Sequence, residues 1–241
     1  MTRQTSTTNK PPRFVVPGRE RAIVLLSGGH HSSIALAWAK TRFKAENSLQ
    51  AIYILFAKPC PEENQEITAA EKVSALFSVP FTTHSIHWET NLILSSPAKQ
   101  TMLLHIAMLI GISEHRLRVV SGLCRDGNPT FKYSPEYNKF LELSLRTDFQ
   151  NEAVCLEMPL FNRPNGAVVQ LGANSPGWLN AAAYTSSCVH GHYPPCGKCI
   201  GCKMRSQAFF EAKIADPQIT RLDREEPGWN KREANTKELT Q

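Results

Sequence analysis

Four cysteines fall within one short stretch, Cys188-(x7)-Cys196-Gly-Lys-Cys199-Ile-Gly-Cys202. Cys-x-x-Cys-x-x-Cys with a fourth thiol a short loop upstream is the ligand set of a closed, structural tetrahedral zinc site. The spacing predicts a compact knuckle stapled by a metal and not by disulfides. His190 and His192 lie inside the same loop, so a Cys₃His set in which either replaces Cys188 stays open. Lys203 and Arg205 follow closely and would offset the net negative charge of four thiolates around a dication.

A second constellation, Ser27-Gly28-Gly29-His30-His31-Ser32, lies between an apolar run and a helix-like run. A strand-to-helix turn at that place offers free backbone N–H groups and the positive end of a helix dipole, which together bind phosphate. Two glycines let the backbone approach an anion closely, and Ser27 and Ser32 add hydroxyl donors. Gly-Gly by itself also describes an ordinary turn. No Gly-Lys-Ser/Thr follows, so this is not a Walker loop.

The elements that must position these groups alternate along the chain. Ala22–Leu26, Ala51–Phe56, Phe81–His87, Arg118–Val120 and Ala153–Met158 read as strands. Ser33–Lys40, Glu66–Phe77, Lys99–Ile112 and Pro135–Thr147 have helical apolar spacing. This alternation implies an α/β fold, a parallel sheet with helices on both faces. The expected division is a disordered lead-in over 1–19, an α/β domain over 20–185, the zinc knuckle and a helix over 186–215, and a charged tail over 216–241.

Composition limits the function classes. At 241 residues and 41% hydrophobic residues the chain can build one substantial core plus a small appendage. Its longest apolar stretch, Met102–Ile112, is interrupted by His105 and Gly111 and is too short to span a bilayer. The opening MTRQTSTTNKPPR has no apolar leader. A cytoplasmic protein with no membrane partner is expected. The formal charge of +6 would fall to about +4 with four thiolates on one Zn²⁺. That mild excess suits an anionic nucleotide without demanding a nucleic-acid partner. Cys60, Cys124 and Cys155 read as small buried residues, His84, His87, His105 and His115 as isolated surface or packing groups, and Trp38 and Trp178 as packing.

With both constellations in view, the chain resembles the 7-cyano-7-deazaguanine synthase (QueC-like) family of N-type ATP pyrophosphatases. Val24–Ser33 is similar to that family's Ser-Gly-Gly-x-Asp-Ser loop, and Cys196–Arg205 to its Cys-x-x-Cys-x-x-Cys-x-x-Arg ending, with Cys188 matching the upstream zinc cysteine. Val120–Asp126, Pro135–Phe140 and Met158–Leu160 resemble further family segments. The resemblance implies an adenine nucleotide alpha hydrolase-like, Rossmann-like fold with structural zinc. It implies ATP as co-substrate, bound by Ser27, Gly28, Gly29, His30 and Ser32. It also implies a small deazapurine acid as substrate, with His31, Lys99, Asp126 and Arg163 near the chemistry.

The departures are specific. His31 stands where the motif has an Asp that helps hold Mg²⁺, and imidazole is a poor Mg²⁺ ligand. A protonated His31 could instead touch phosphate, which predicts nucleotide affinity that strengthens as pH falls through about 6.5. Phe56–Cys60 replaces a Tyr-Gly-Gln-Arg-His segment, and Pro97–Gln100 a Pro-Gly-Arg-Asn segment. Near Arg163 and Pro164 a family Lys is missing. Three functions follow: the synthase itself; a diverged relative that joins a deazapurine acid to a protein or nucleic-acid acceptor, such as in phage defence; or a silent nucleotide-binding module. A homodimer is left open.

Overall fold

The computed structural model describes residues 20–56, 61–86, 96–124 and 134–225. Its centre is a five-stranded sheet in the order β3-β2-β1-β4-β5. The strands are β1 (Ala22–Leu25), β2 (Leu49–Leu55), β3 (Phe81–Ser85), β4 (Arg118–Ser121) and β5 (Cys155–Glu157). Every neighbouring pair is parallel, with Ala22 opposite both Leu49 and Arg118. The expected parallel α/β sheet is therefore observed.

The middle strands carry apolar side chains on both faces because helices cover both. Ala22, Val24 and Leu26 join one core with α1 (His30–Arg42), α2 (Pro61–Leu76), α5 (Asn165–Ala173), α6 (Trp178–Ala182) and α7 (Ile200–Ala212). Ile23, Ile52, Ile54 and Val119 face the opposite way, against Leu104, Ala107 and Met108 of α3 (Ser96–Ser113) and Leu141 and Leu145 of α4 (Pro135–Asp148). The alternation of successive β1 residues between two cores follows from the two-residue period of a strand.

Two connections differ from the sequence reading. Helix α2 starts at Pro61, a turn earlier than the apolar spacing shows, with Glu62 and Glu63 in its first turn. Residues 216–225, expected as a charged tail, contain α8 (Pro217–Glu225), whose Gln218 and Leu222 are buried. Asp216 explains this order: it accepts from Arg205 Nε at 2.6 Å and Nη2 at 2.7 Å. Arg205, expected to offset the knuckle's charge, is 4% exposed and is bound instead by Asp216, Thr185 and the Ala182 carbonyl. Trp178 is fully buried, and its Nε1 donates to Ser33 Oγ at 2.9 Å.

Candidate functional site

Beyond the carboxyl ends of β1, β2 and β4 lies a cavity of about 370 Å³. It sits where the strand order reverses between β1 and β4, the place at which open α/β sheets bind ligands. Ser27, His31, Ser32, Tyr53, Glu63, Glu66, Lys99, Ser121 and Cys124 line it.

The Gly-Gly turn forms its base. Gly28 takes φ +76°, and a Cβ there would run into the Glu66 carbonyl oxygen; glycine is what lets β1 turn beneath α2. Gly29 caps α1 without a side-chain hydrogen bond. The first-turn amides of His30, His31 and Ser32 therefore have no helical partner and face the helix's positive end. Ser32 Oγ accepts from the Ser27 amide at 3.2 Å, donates to the Gly29 carbonyl at 3.1 Å and lies 3.1 Å from Ser27 Oγ. The turn thus holds its own hydroxyls in place. On the other side a Cβ on Gly122 would lie 2.7 Å from Ser32 Cα, so the chain after β4 presses directly on the first turn of α1.

The two histidines part company. His31 lines the cavity, yet its Nε2 is enclosed without a partner, and burial lowers its pKa from 6.5 to about 4. It is therefore neutral through the physiological range. In the chain without a bound anion, desolvation disfavours the imidazolium, which works against a phosphate contact switched on near pH 6.5. His30 does not line the cavity; it is 6% exposed and points toward the knuckle, with Nδ1 3.1 Å from Ser187 Oγ. Burial first, then the charges of His31 and Arg205, hold it well below the usual histidine range.

Of the other residues marked from the sequence, Lys99 in the first turn of α3 lines the cavity. Arg163 stands apart: it is exposed, its Nε donates to the Pro159 carbonyl at 3.2 Å, and it does not line the cavity. Asp126 lies outside the described residues, as do Cys60 and His87. Sequence reasoning missed Tyr53, Glu63 and Glu66. Tyr53 Oη donates to Glu66 Oε2 at 2.7 Å. Burial pushes the Glu66 carboxyl up, against the Tyr53 hydrogen bond and Lys99, while Glu63 adds to the rise. The early start of α2 brings Glu63 to the cavity beside Glu66, and its first turn carries no apolar spacing that could have signalled it. His105, read as isolated, bonds Asp148 Oδ2 at 2.8 Å and joins α3 to α4.

The second centre is the knuckle. The sulfurs of Cys188, Cys196, Cys199 and Cys202 all lie within 4.8 Å of one another. Cys199 Sγ is 3.4 Å from Cys202 Sγ and 4.0 Å from Cys188 Sγ, far beyond a disulfide bond of about 2.05 Å. His190 and His192 are exposed and outside this group, so the side chains the fold brings together as candidate ligands are the four cysteines. Burial opposes ionisation of Cys196, yet the amides of Cys199 and Lys198 and hydrogen bonds from Cys188 and Cys199 hold its pKa down to about 6. Burial and the Cys199 hydrogen bond push the Cys202 thiol up. A bound cation reverses that penalty, because thiolate is the coordinating form. The amides of Cys199 and Cys202 donate to the sulfurs of Cys196 and Cys199, each at 3.4 Å, and so favour thiolate. The four residues fit a metal ion.

Known proteins resemble both centres. The model of the family described as queuosine biosynthesis protein QueC matches residues 95–213, which hold α3 through the knuckle and α7. A 7-cyano-7-deazaguanine synthase of Chromobacterium violaceum is 28% identical over 233 residues, covering 87% of this chain and 97% of that protein. One of Laribacter hongkongensis is 26% identical over 227 residues, covering 84% and 96%. Among solved structures, the U34-tRNA thiolase NcsA from Methanococcus maripaludis, with its [4Fe-4S] cluster, aligns with a TM-score of 0.51 at 19% identity, over 90% of this chain and 71% of that one. That likeness is one of fold. No described helix is long and apolar enough to cross a membrane. The family match across the knuckle, together with relatives that align over more than four fifths of the chain, makes this chain similar to the QueC family.

Proposed function

We propose that this chain uses ATP to activate the carboxylate of a 7-deazapurine, with 7-carboxy-7-deazaguanine as the first substrate to test. The observation that carries the reading is the convergence of the α1 N-terminus, Ser27, Ser32 and Lys99 on one cavity at the sheet's switch point. An acid oxygen of the substrate attacks the α-phosphorus of ATP, the α–β phosphoanhydride bond breaks, and pyrophosphate leaves. Ammonia then displaces AMP to give the amide, and a second ATP drives its dehydration to the nitrile. The first-turn amides of α1 and the Ser27 and Ser32 hydroxyls hold the β- and γ-phosphates. They stabilise charge as it develops on the leaving pyrophosphate. Lys99 adds a mobile positive charge at the cavity rim, and the close-packed base fixes the reacting groups in line.

The loop offers no hard anionic oxygen of its own. Glu63 and Glu66 line the same cavity and are the groups that would hold Mg²⁺. When bound, that cation neutralises charge on the leaving pyrophosphate. The replacement of the motif's Asp by His31 motivates a second reading, in which a diverged relative hands the activated acid to a protein or nucleic-acid acceptor. In the knuckle we infer zinc with a structural role. Tetrahedral Zn–S bonds of about 2.3 Å place sulfurs about 3.8 Å apart; the four sulfurs all lie within 4.8 Å of one another, with Cys199 3.4 Å from Cys202 and 4.0 Å from Cys188, a spread compatible with that value. A four-iron cluster puts a larger body between its thiolates.

The test is pyrophosphate release with ATP, Mg²⁺, ammonium and 7-carboxy-7-deazaguanine, with products read by mass spectrometry. Nitrile formation supports the synthase. Pyrophosphate released without nitrile, with transfer to an added acceptor, supports the diverged enzyme. Neither one, despite nucleotide binding, overturns both in favour of a binding module. Elemental analysis should find one zinc per chain, and a visible iron–sulfur absorption band would refute the zinc reading.

A further inference from the structure

The strap between the α/β layer and the knuckle passes through three consecutive residues, each tied to something different. The Ser186 amide donates to the Gly28 carbonyl at 2.9 Å. Ser187 Oγ meets His30 Nδ1 at 3.1 Å. Cys188 is the first knuckle thiol, 4.0 Å from Cys199. The strap has no room to slide, because a Cβ on Gly201 would run into the Ser187 carbonyl oxygen, so α7 presses directly on it.

The same helix grips α1 from a second direction. Trp178 donates to Ser33 Oγ at 2.9 Å and stacks on Phe209 of α7, with ring centres 6.0 Å apart and planes 10° apart. The His30 ring lies 6.4 Å from Phe209. The first turn of α1 is therefore held by residues that flank the knuckle on both sides, Ser186 and Ser187 just before Cys188 and Phe209 after Cys202.

We propose that the metal knuckle sets the shape of the phosphate loop through Ser186 and Ser187, with Ser187 and His30 as positioning residues, so that metal retention and nucleotide affinity are coupled. This rests on the nucleotide-binding reading of the loop given above. A coupling free energy acts equally in both directions: if the metal tightens nucleotide binding, nucleotide must retain the metal by the same factor. Couplings of this kind span about five- to a hundredfold.

The experiment uses the full-length, metal-loaded protein. Metal affinity is measured by equilibrium competition with a chromophoric chelator, alone, with ATP and with pyrophosphate, each ligand's own metal binding being included, while calorimetry gives the affinity of each. At equilibrium with the chelator, nucleotide should raise the metal affinity at least about fivefold. Ser187→Ala should keep one metal per chain and a near-normal melting temperature, bind ATP at least about fivefold more weakly and lose that gain. Ser187→Thr, which keeps the hydroxyl, should retain it. Tight nucleotide binding with an unchanged metal affinity overturns the coupling alone. A gain of full size in Ser187→Ala does so too, since it reports only general stabilisation by ligand. If neither ATP nor pyrophosphate binds wild-type protein, the nucleotide reading fails and this proposal with it. The wild-type metal affinities with and without nucleotide decide the matter even if Ser187→Ala does not fold.

Discussion

Restoring a carboxylate at position 31 is the sharpest test of how this pocket handles charge. In His31→Asp the new group enters a place that already resists ionisation, since burial takes His31 from 6.5 to about 4. At about 1.4 kcal/mol per pH unit, that depression is equivalent to about 3 kcal/mol against a charge. A carboxylate meets the same desolvation, but the α1 N-terminus favours an anion by up to about 1 kcal/mol. The net expectation is about 2 kcal/mol of lost stability at mildly alkaline pH without a cation. Mg²⁺ should recover part of that loss and Mg²⁺ with ATP most of it, because a hard cation pairs with the carboxylate. Urea unfolding of wild type and variant, with chelator, Mg²⁺ or Mg²⁺–ATP, measures each step. Pyrophosphate release should rise in the variant and become more steeply dependent on Mg²⁺. If His31→Asp is as stable as wild type in chelator, and neither Mg²⁺ nor ATP moves it, the picture of a desolvated, cation-poor loop is wrong.

Three further outcomes follow from the same geometry. His30 and His31 both have lowered pKa values in the folded chain, so the unfolded chain binds more protons once pH drops below about 6.5. Stability is then complete above about 6.5 and declines as pH falls toward about 4; unfolding midpoints across that window should slope upward with pH, and a flat profile refutes the burial argument. Gly28→Ala puts a Cβ against the Glu66 carbonyl at φ +76°, which should cost about 1–3 kcal/mol and weaken ATP binding in calorimetry; unchanged values for both would mean the turn tolerates a side chain. Arg205→Ala leaves the Asp216 carboxylate, 11% exposed, without its partner and should cost about 3–5 kcal/mol by denaturant unfolding. An apolar replacement of both residues should recover much of that loss; a mild Arg205→Ala phenotype would show that α8 does not depend on the pair.

The knuckle and the Gly-Gly turn were legible because their information is local. Cysteine spacing fixes which sulfurs can meet, and a strand, two glycines and a helix fix where amides are left free. The parallel sheet followed equally from apolar runs recurring between helical periods, and the observed strands begin within about two residues of the expected ones. Other features have no local signal. Glu63 and Glu66 reach the cavity only because α2 packs over Gly28, and their sequence surroundings look like any solvated helix end. Arg205 sits beside the cysteines in sequence, yet in space it belongs to Asp216, eleven residues away. His30 and His31 are neighbours that the helical turn sends apart, one to the strap and one to the cavity. Their neutrality arises from burial, which sequence does not carry. The sequence by itself thus determined the chemistry that short spacings can hold. The tertiary structure decided which charges share a space, because desolvation and partner choice depend on what the whole chain brings within a few ångströms.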